Sequence, residues 1–412
     1  MERRVLITGL GVLSPCGNTL ADFWDSLTNG KSGVGPITGF DTTNFTVKIA
    51  GEVKNFDPTD YMDKKAQRRM DRFTQLAVAA SYMAVQDACM DLEKLDRERI
   101  GVILGSGIGG IRTHEIQCFN LKDRGPRGVS PFYIPMMIAD MAPGYVSMLH
   151  GFKGPNYTTT SACASASHAI GESFKTVQRG DADIVMTGGT EAAVTMISIG
   201  GFSNMKALST QNDDPASASR PFDLNRNGFV MSEGAGIIVL ESEESAIKRN
   251  AKIYGEIVGK GFTADAHHMT EPAPQGEGAV RSMLAALKEA NMNPEEIEYI
   301  NAHGTSTLYN DRNETMAIKT VFKDYAYKVP VSSTKSITGH LLGASGAIEL
   351  IASLFTMKYG CIPPTINYTT KDPDCDLDYV PNVCRKQSVR TILSNTFGFG
   401  GHNATLIACE YH

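Results

Sequence analysis

The chain has 412 residues, which is long enough for two domains or for one large duplicated unit with a substantial core. Hydrophobic residues make up 42% and charged residues 20%, and these proportions exclude a disordered or fibrous protein. The formal net charge of −6 argues against a nucleic-acid binder with a broad basic surface, so an anionic partner would need a local basic patch.

Short apolar runs bounded by glycine recur in the first part of the chain, at residues 4–11, 100–107, 183–189 and 234–241. A longer stretch of helix-forming residues, 73–90, lies between the first two runs. Such β-branched runs, separated by helical stretches, predict a sheet that is buried under helices on both faces, which is an α/β architecture. No small-residue cleavage site follows the first run, so we expect a buried strand there and not a signal peptide.

The second part of the chain repeats this outline. A strand-like run at 253–262, a helical stretch at 279–292 and a closing strand at 403–411 follow in the same order as in the first part. This weak self-similarity predicts two related α/β halves that pack as one body. We expect the domains to be residues 1–250, with the candidate cysteine, and residues 251–412, with the candidate histidines.

The cysteine pattern bears on both compartment and metal binding. The chain has no CxxC pair and no dense cysteine spacing of the kind that zinc sites and disulfide scaffolds use. No stretch approaches the roughly 20 apolar residues that span a bilayer. We therefore expect free thiols in a reducing, cytoplasmic compartment, no metal and no cofactor. The eight cysteines are Cys16, Cys89, Cys118, Cys163, Cys361, Cys375, Cys384 and Cys409.

One cysteine has an unusual setting. Around Cys163 the chain reads GPNYTTTSACASASHAIGESF, a polar run followed by small residues and then by helix formers. This pattern predicts a strand-to-helix junction, where helix N-terminal amides would lower the pKa of the thiol. An inert core thiol is the alternative explanation for any single cysteine.

Two histidines and a glycine-rich segment have similar surroundings. His303 lies in NAHGTST just past a strand-like run, and His340 lies in STKSITGHLLGASGAIE just before a helical stretch. The segment SNTFGFGGHN at 394–403 has the glycine density of a loop that passes close to a ligand. Core histidines and a plain turn are the alternatives. Together with a junction cysteine, however, two such histidines indicate a thiol-based catalytic site.

These motifs together resemble a known family. TSACASA around Cys163, NAHGTST around His303, the KSxxGH segment that ends in His340 and the FGFGGxN loop are similar to the elongating beta-ketoacyl-acyl carrier protein synthases of the thiolase superfamily. The resemblance runs from RVLITGLGVLSPCG to the last strand. It implies a thiolase-like fold, in which two α/β halves with buried mixed five-stranded sheets form layers in the order αβαβα.

The resemblance also implies an activity, the extension of acyl chains by decarboxylative Claisen condensation on Cys163. Cys163 would accept the acyl group, and His303 and His340 would serve the decarboxylation of a malonyl unit as neutral N–H donors to the enolate oxygen. The backbone amides of Cys163 and Phe399 would form a second oxyanion hole, and Phe399 would be a gate. The implied partners are acyl carrier protein, in its acyl and malonyl forms, and a second copy of the chain.

Other positions match the family's site residues. Lys335 matches an active-site lysine, and Asp311, Glu314 and Phe397 match residues that support the histidine loops, although a structural ion-pair network would explain the charged ones equally. The residues expected to contact the pantetheine arm or the acyl chain are Thr305, Thr307, Ile108 and Phe202.

Two positions depart from the family pattern. Leu308 stands where many members have a proline that would stiffen the loop after the pantetheine-binding threonines. Ser198 stands where a glycine is frequent beside the acyl pocket, and its hydroxyl would narrow or polarise the tunnel.

The segment MDKKAQRRMDRF is rich in basic residues at spacings that would share one helix face. A solvated charged face is the ordinary explanation of such a run. Since the family docks an acidic carrier protein, we expect a docking site here. Its members would be Lys64, Lys65, Arg68, Arg69 and Arg72, with Arg124, Arg127 and Lys206 as possible extensions.

Four other functions share parts of this pattern. A thiolase is disfavoured because its second catalytic cysteine is missing from the FGFGGHN loop, and an initiating synthase because it would have asparagine in place of His340. A non-catalytic chain-length factor would lack Cys163. A ketosynthase of a type II polyketide pathway, or of another specialised acyl pathway, stays open as the alternative to fatty-acid elongation.

Overall fold

The computed structural model describes residues 2–412. Ten strands form one large mixed sheet, and two pairs of short strands, β2–β3 and β11–β12 in the list that follows, form small antiparallel sheets. The strands are β1 (Val5–Leu13), β2 (Gly35–Pro36), β3 (Ile49–Ala50), β4 (Ile100–Gly105), β5 (Asn156–Thr159), β6 (Ile184–Glu191), β7 (Gly234–Ser242), β8 (Gly255–Ala264), β9 (Tyr299–Asn301), β10 (Val331–Ser332), β11 (Cys361–Ile362), β12 (Arg385–Lys386), β13 (Thr391–Gly398) and β14 (His402–Cys409).

The helices that cover the large sheet agree with the sequence pattern. The predicted helices at 73–90 and 279–292 are confirmed as α3 and α10. The α-helices are α1 (Leu20–Thr28), α2 (Lys64–Gln67), α3 (Arg72–Asp87), α4 (Ile111–Arg124), α5 (Tyr133–Met137), α6 (Met141–His150), α7 (Ser165–Gln178), α8 (Met196–Asn204), α9 (Glu243–Lys248), α10 (Glu277–Ala290), α11 (Leu308–Phe322), α12 (Lys335–Thr338) and α13 (Ser345–Tyr359).

The large sheet consists of two five-stranded halves with the same topology. The first half has the order β1-β7-β6-β4-β5 and the second has the order β8-β14-β13-β9-β10. In each half the first two strands of this order run antiparallel to their neighbours, and the last three are parallel. The predicted pair of related α/β halves is therefore confirmed. The division at residue 250 stays a prediction.

The two halves are joined edge to edge through β1 and β8. Three residue pairs, from Val5–Ile257 to Ile7–Gly255, connect these strands, so the two expected five-stranded sheets form one continuous mixed sheet. Each of these strands is the first strand of its half in the chain and lies at the edge of that half that faces the other half.

Helices fill the space on both faces in layers. Helices α3 and α6 pack on the outer face of the first half, and α10 and α11 cover the outer side of the second half. Helices α7 and α13 contact each other and strands of both halves, so they form the central layer. The first twelve residues of α13, Ser345–Thr356, are all buried, as expected of a helix surrounded by protein. The layer order is αβαβα, as the family resemblance implies.

Close approach between β1 and α3 explains one of the glycines in the opening run. A Cβ atom at Gly11 would lie 2.0 Å from the carbonyl oxygen of Ala80, so a side chain there would push the helix away from the sheet. None of the helices that the structure describes is both long and apolar enough to cross a membrane.

Candidate active site

Cys163 lies at the junction that the sequence predicts. Strand β5 ends at Thr159 and helix α7 begins at Ser165, so the cysteine falls in the short turn between them. Ala162 adopts a left-handed conformation with φ of 51°, which is uncommon for a residue with a side chain. Such strain persists only where the surrounding structure enforces it. The turn therefore holds the sulfur in a fixed position at the floor of a cavity of about 360 Å³.

The two candidate histidines converge on this sulfur. The Nε2 atom of His340 lies 3.1 Å from the Sγ of Cys163, and its Nδ1 lies 2.9 Å from the Oγ of Ser345. The His303 and His340 rings are 5.3 Å apart and nearly perpendicular. One donor atom from each of the three residues lies within 4.8 Å of the others, so these side chains are also a potential set of metal ligands.

Burial decides the protonation of the thiol. Burial raises the pKa of Cys163 to about 12, while the positive charge of Lys335 and the backbone N–H of Phe399 oppose the increase. The expected lowering of this pKa by the start of α7 is therefore wrong for the buried sulfur, because the cost of desolvating a thiolate outweighs the favourable groups. In this geometry the nucleophile is a thiol.

The histidines are neutral for the same reason. Burial lowers the pKa of His303 and of His340 well below 6.5, and the charge of Lys335 lowers both further. His340 adds to the decrease at His303. Both imidazoles therefore carry one proton near neutral pH, which agrees with the predicted charge state.

Buried acids fix the loops that carry these histidines. The two carboxylate oxygens of Glu314 accept the backbone N–H groups of His303 and Gly304, each at 2.8 Å. Burial raises the pKa of Glu314 to about 7. Asp311 accepts the backbone N–H of Phe222 at 2.9 Å and lies 3.5 Å from the guanidinium of Arg226. The contact between Arg226 and Asp311 connects the loop at 222–226 to helix α11.

Two further predicted residues lie next to His303. The ring of Phe397 is 5.8 Å from that of His303 and roughly perpendicular to it. Lys335 is fully buried and forms an ion pair with Glu349. Its charge is therefore compensated inside the protein.

The predicted substrate-contacting residues line the cavity. Ile108, Phe202, Thr305 and Thr307 all contribute to its wall, together with Phe399. The hydroxyls of Thr305 and Thr307 lie 2.9 Å apart, so one donates to the other. The rings of Phe202 and Phe399 are stacked with centroids 6.3 Å apart.

Ser198 is different. It does not line this cavity, and its Oγ accepts a hydrogen bond from the Thr195 hydroxyl at 3.1 Å at the start of α8. The expectation that its hydroxyl narrows the tunnel is contradicted, because the side chain is engaged in the helix cap. Leu308 is the first residue of α11 and lines the cavity.

The basic segment is not one helix. Helix α2 spans only Lys64–Gln67, and a new helix begins at Arg72, which pairs with Glu233 at 2.7 Å. Arg72 therefore belongs to an internal ion pair and not to a docking surface. The remaining four basic residues line a surface depression with Phe132, over which the Arg69 guanidinium lies at 4.6 Å. We call this group, Lys64, Lys65, Arg68 and Arg69, the basic patch.

The suggested extensions of the patch lie elsewhere. Lys206 lines the active-site cavity, and Arg124 ends α4, with Arg127 in the turn that follows. None of the three lines the depression formed by the basic patch.

The sequence analysis missed two buried acids near the site. Glu349 is the partner of Lys335, and Glu191 accepts the backbone N–H groups of Gly107, Ile108 and Gly343. Burial raises the pKa of each carboxyl to about 7. A signal existed for Glu349, because it is the only charged residue in the run SGAIELIASLFT.

The sequence also did not predict a pair of neighbouring histidines, His168 and His402. The Nδ1 of His168 lies 2.6 Å from the Oγ of Ser161, and its ring is 6.4 Å from that of His402. The hydrogen bond between Ser161 and His168 connects the turn before Cys163 to helix α7, which follows it.

Comparisons with known proteins identify the family. The model of the beta-ketoacyl synthase N-terminal domain matches residues 2–246, and that of the beta-ketoacyl synthase C-terminal domain matches residues 254–369. Together these matches cover most of the chain.

Full-length relatives are similar throughout. The 3-oxoacyl-[acyl-carrier-protein] synthase 2 of Synechocystis sp. is 52% identical over 410 residues, covering 100% of this chain and 99% of the relative. The protein of the same name from Staphylococcus aureus is 54% identical over 406 residues, with 98% of each chain covered. Among solved structures, a ketosynthase determined in complex with its type II polyketide synthase acyl-carrier protein is 34% identical, with a TM-score of 0.93 and 100% of both chains covered.

The fold, the site geometry and the full-length similarity lead to one assignment. The chain belongs to the beta-ketoacyl synthase family and is a condensing enzyme of the acyltransferase class with the thiolase-like fold.

Proposed function

We propose that this enzyme condenses malonyl-carrier protein with an acyl group held on Cys163 and thereby elongates fatty acids. The observation that carries the proposal is the 3.1 Å contact between the Cys163 sulfur and His340 Nε2, with His303 in the same cluster. A nucleophile and two neutral imidazoles at the floor of one cavity supply an acyl acceptor and two N–H donors.

The first half-reaction is transfer of the acyl group. The sulfur of Cys163 attacks the thioester carbonyl of the acyl-carrier protein, the bond to the pantetheine sulfur breaks, and the thiol proton ends on the leaving sulfur. The tetrahedral oxyanion accepts hydrogen bonds from the backbone N–H groups of Cys163 and Phe399. The Phe399 N–H that faces the Cys163 sulfur supports this role.

The second half-reaction consumes the malonyl unit. Loss of carbon dioxide leaves an enolate, whose oxygen accepts N–H hydrogen bonds from His303 and His340. The enolate carbon attacks the acyl carbonyl on Cys163, the C–S bond breaks, and the sulfur takes one proton from solvent. The Oγ of Ser345 lies 2.9 Å from Nδ1 of His340, so its hydroxyl donates to Nδ1 when the His340 proton is on Nε2.

The remaining residues of the site hold these groups or the substrate. Burial, with a smaller contribution from the Lys335 charge, lowers the pKa of both histidines and keeps them neutral, and Glu314, Asp311 and Phe397 fix the His303 loop. In the cavity wall, Thr305 and Thr307 hydrogen-bond the pantetheine arm, while Ile108 and Phe202 contact the acyl chain, with Phe399 as a gate.

The basic patch docks the acyl carrier protein. Four cationic side chains around Phe132 suit an acidic partner, and their position outside the cavity leaves the cavity free for the pantetheine arm. The related ketosynthase that was solved with its acyl-carrier protein supports a partner of this kind.

The enzyme works as a homodimer in the cytoplasm. Strand β5 is the last strand of the large sheet and leaves one edge unpaired, and exposed apolar residues lie near it. A second copy that pairs along β5 would cover this edge. Eight free cysteines agree with a reducing compartment. The exposed apolar residues include Tyr157 on β5 itself and Met148 on α6, which packs against β5.

A polyketide ketosynthase is the second candidate, because the structural relative at 34% identity serves such a pathway. The higher identity, 52% and 54%, to the 3-oxoacyl-[acyl-carrier-protein] synthases 2 of Synechocystis sp. and Staphylococcus aureus favours fatty-acid elongation. A condensation assay with malonyl-carrier protein and saturated acyl-carrier proteins of graded length tests the proposal. Turnover of these acyl chains supports it, and turnover restricted to polyketide-type acyl chains would contradict it.

A further inference from the structure

The floor of the active-site cavity holds the donor atoms that zinc prefers. Cys163, His303 and His340 each place one potential ligand atom within 4.8 Å of the other two, and all three residues are buried. Within residues 2–412 this is the one group of three histidine, cysteine or acidic residues with such spacing. One thiolate and two imidazoles form a ligand set suited to Zn²⁺.

The Cys163–His340 distance is close to that of tetrahedral coordination. With Zn–S of about 2.3 Å and Zn–N of about 2.0 Å, neighbouring donors in a tetrahedron lie roughly 3.3–3.6 Å apart. The 3.1 Å separation of the Cys163 sulfur and His340 Nε2 needs to widen only slightly to reach this range. Three protein ligands leave the fourth position for water, and the open cavity supplies it.

The surroundings hold both imidazoles ready to bind. Ser345 fixes the outer nitrogen of His340, and Glu314 fixes the backbone of His303. Such outer contacts orient metal-binding histidines and strengthen the sites that contain them. His340 binds the ion through Nε2 in the tautomer with its proton on Nδ1, where the Ser345 oxygen accepts it.

One charge opposes a cation at this position. The Lys335 ammonium lies close enough to influence the titration of all three residues. Its ion pair with the buried Glu349 carboxylate compensates that charge. The net repulsion of a divalent ion is therefore smaller than a lone ammonium would cause.

We propose that Cys163, His303 and His340 bind Zn²⁺ reversibly and that the bound ion holds the enzyme in an inactive state. Binding forms a Zn–S bond and releases the thiol proton to solvent, with no transfer of electrons. The sulfur is then unavailable for acylation, and neither imidazole can donate to an enolate. Mg²⁺ and Ca²⁺ prefer oxygen ligands and do not bind here. The Zn²⁺ site goes beyond the proposed function, and its inhibitory effect rests on that function.

The test measures binding without relying on activity. Purified full-length enzyme is dialysed against Zn²⁺ or Mg²⁺, the bound metal is counted, and the alkylation of each cysteine by iodoacetamide is followed by peptide mass spectrometry. We expect one tightly bound Zn²⁺ per chain, no Mg²⁺, and protection of Cys163 that a chelator reverses. Zinc binding by an enzyme that does not condense acyl chains would leave the Zn²⁺ site standing and would show that the proposed function had failed.

Variants locate the ion. Cys163→Ser and His340→Ala should each weaken Zn²⁺ binding at least tenfold. Cys118→Ser is the matched control, because the exposed Cys118 Sγ lies 3.6 Å from His114 Nε2 and offers a rival Cys–His pair. This variant should bind the ion as wild type does. If Cys163→Ser retains wild-type affinity, if Cys118→Ser loses it, or if Zn²⁺ leaves Cys163 fully reactive, the proposal is overturned.

Discussion

His340 Nε2 lies 3.1 Å from Cys163 Sγ, although 177 positions separate these residues in the chain. The cysteine precedes α7 in the first half, whereas the histidine follows α12 in the second half. The contact therefore exists only when the two halves are packed together. Helices α7 and α13, which contact each other in the central layer, set this distance.

His303→Ala and His340→Ala should abolish condensation while acyl transfer to Cys163 continues. The reason is that their proposed oxyanion forms only in the malonyl half-reaction, where loss of one donor costs about 100-fold or more. Radiolabelled acyl transfer and carbon dioxide release are measured separately. Wild-type condensation by either variant would refute the assigned role.

Protonation of His303 and His340 should contribute no pH dependence to the malonyl half-reaction between pH 6 and 8. Histidines with the usual pKa of about 6.5 would lose roughly fourfold of their neutral form between pH 7.5 and pH 6. Burial and Lys335 lower the pKa of both histidines well below that value, so the neutral form persists as the pH falls. Carbon dioxide release from pre-acylated enzyme gives the profile, and a break near pH 6.5 would show that a histidine titrates normally.

Charge reversal in the basic patch, by Lys65→Glu with Arg69→Glu, should raise KM for carrier-protein substrates several-fold. A small pantetheine thioester should be affected much less, because it does not reach the patch. The difference should shrink at high salt, since screening weakens attraction between exposed charges.

The matched control reverses two exposed lysines outside the patch, Lys248→Glu with Lys288→Glu. This pair produces the same change in net charge. If KM rises equally for the control variant, the effect is due to overall charge. If KM for the patch variant is unchanged, the basic patch is a solvated surface that does not dock the carrier protein.

Ile108→Phe should shorten the longest acyl chain that is accepted and leave short primers as substrates. Ile108 lines the cavity, and extra volume in a packed wall costs about 1–3 kcal/mol. Ser198→Gly should leave chain length unchanged, because the hydroxyl faces Thr195 and not the cavity. Rates over a series of chain lengths decide both points. If the Ile108→Phe variant extends long acyl chains at the normal rate, Ile108 does not line the acyl pocket.

Glu349→Gln should lower the free energy of unfolding by about 3–5 kcal/mol, because it leaves the buried Lys335 ammonium without its counter-ion. The double variant Lys335→Met with Glu349→Met should regain most of this loss, since it removes the charge altogether. Denaturant unfolding followed by tryptophan and by circular dichroism compares the three proteins. Unchanged stability of Glu349→Gln would show that the pair is not a coupled ion pair.

Motifs and periodicity were sufficient to predict the α/β halves and the convergence of Cys163, His303 and His340. Each motif lies at the end of a strand or the start of a helix. The sequence marks these ends clearly because glycines there interrupt the apolar runs. The shared order of the two five-stranded halves explains why the second part of the chain repeats the first.

Tertiary packing determined what the sequence could not predict. The pKa of Cys163 depends on how completely the cavity desolvates the sulfur, and no local pattern encodes that. The break between α2 and α3 places Arg72 against Glu233, a residue 161 positions away. The family pattern predicts Ser198 beside the acyl pocket, whereas its hydroxyl oxygen accepts a hydrogen bond from Thr195 in the same helix cap.

The most direct test of the account is to locate the acyl group after the first half-reaction. His303→Ala enzyme is incubated with a labelled acyl-carrier protein, digested, and each of the eight cysteine-containing sites is examined by mass spectrometry. We expect one acyl group per chain on Cys163 and none in a Cys163→Ala variant. Acylation of another cysteine, or condensation by Cys163→Ala at the wild-type rate, would contradict it.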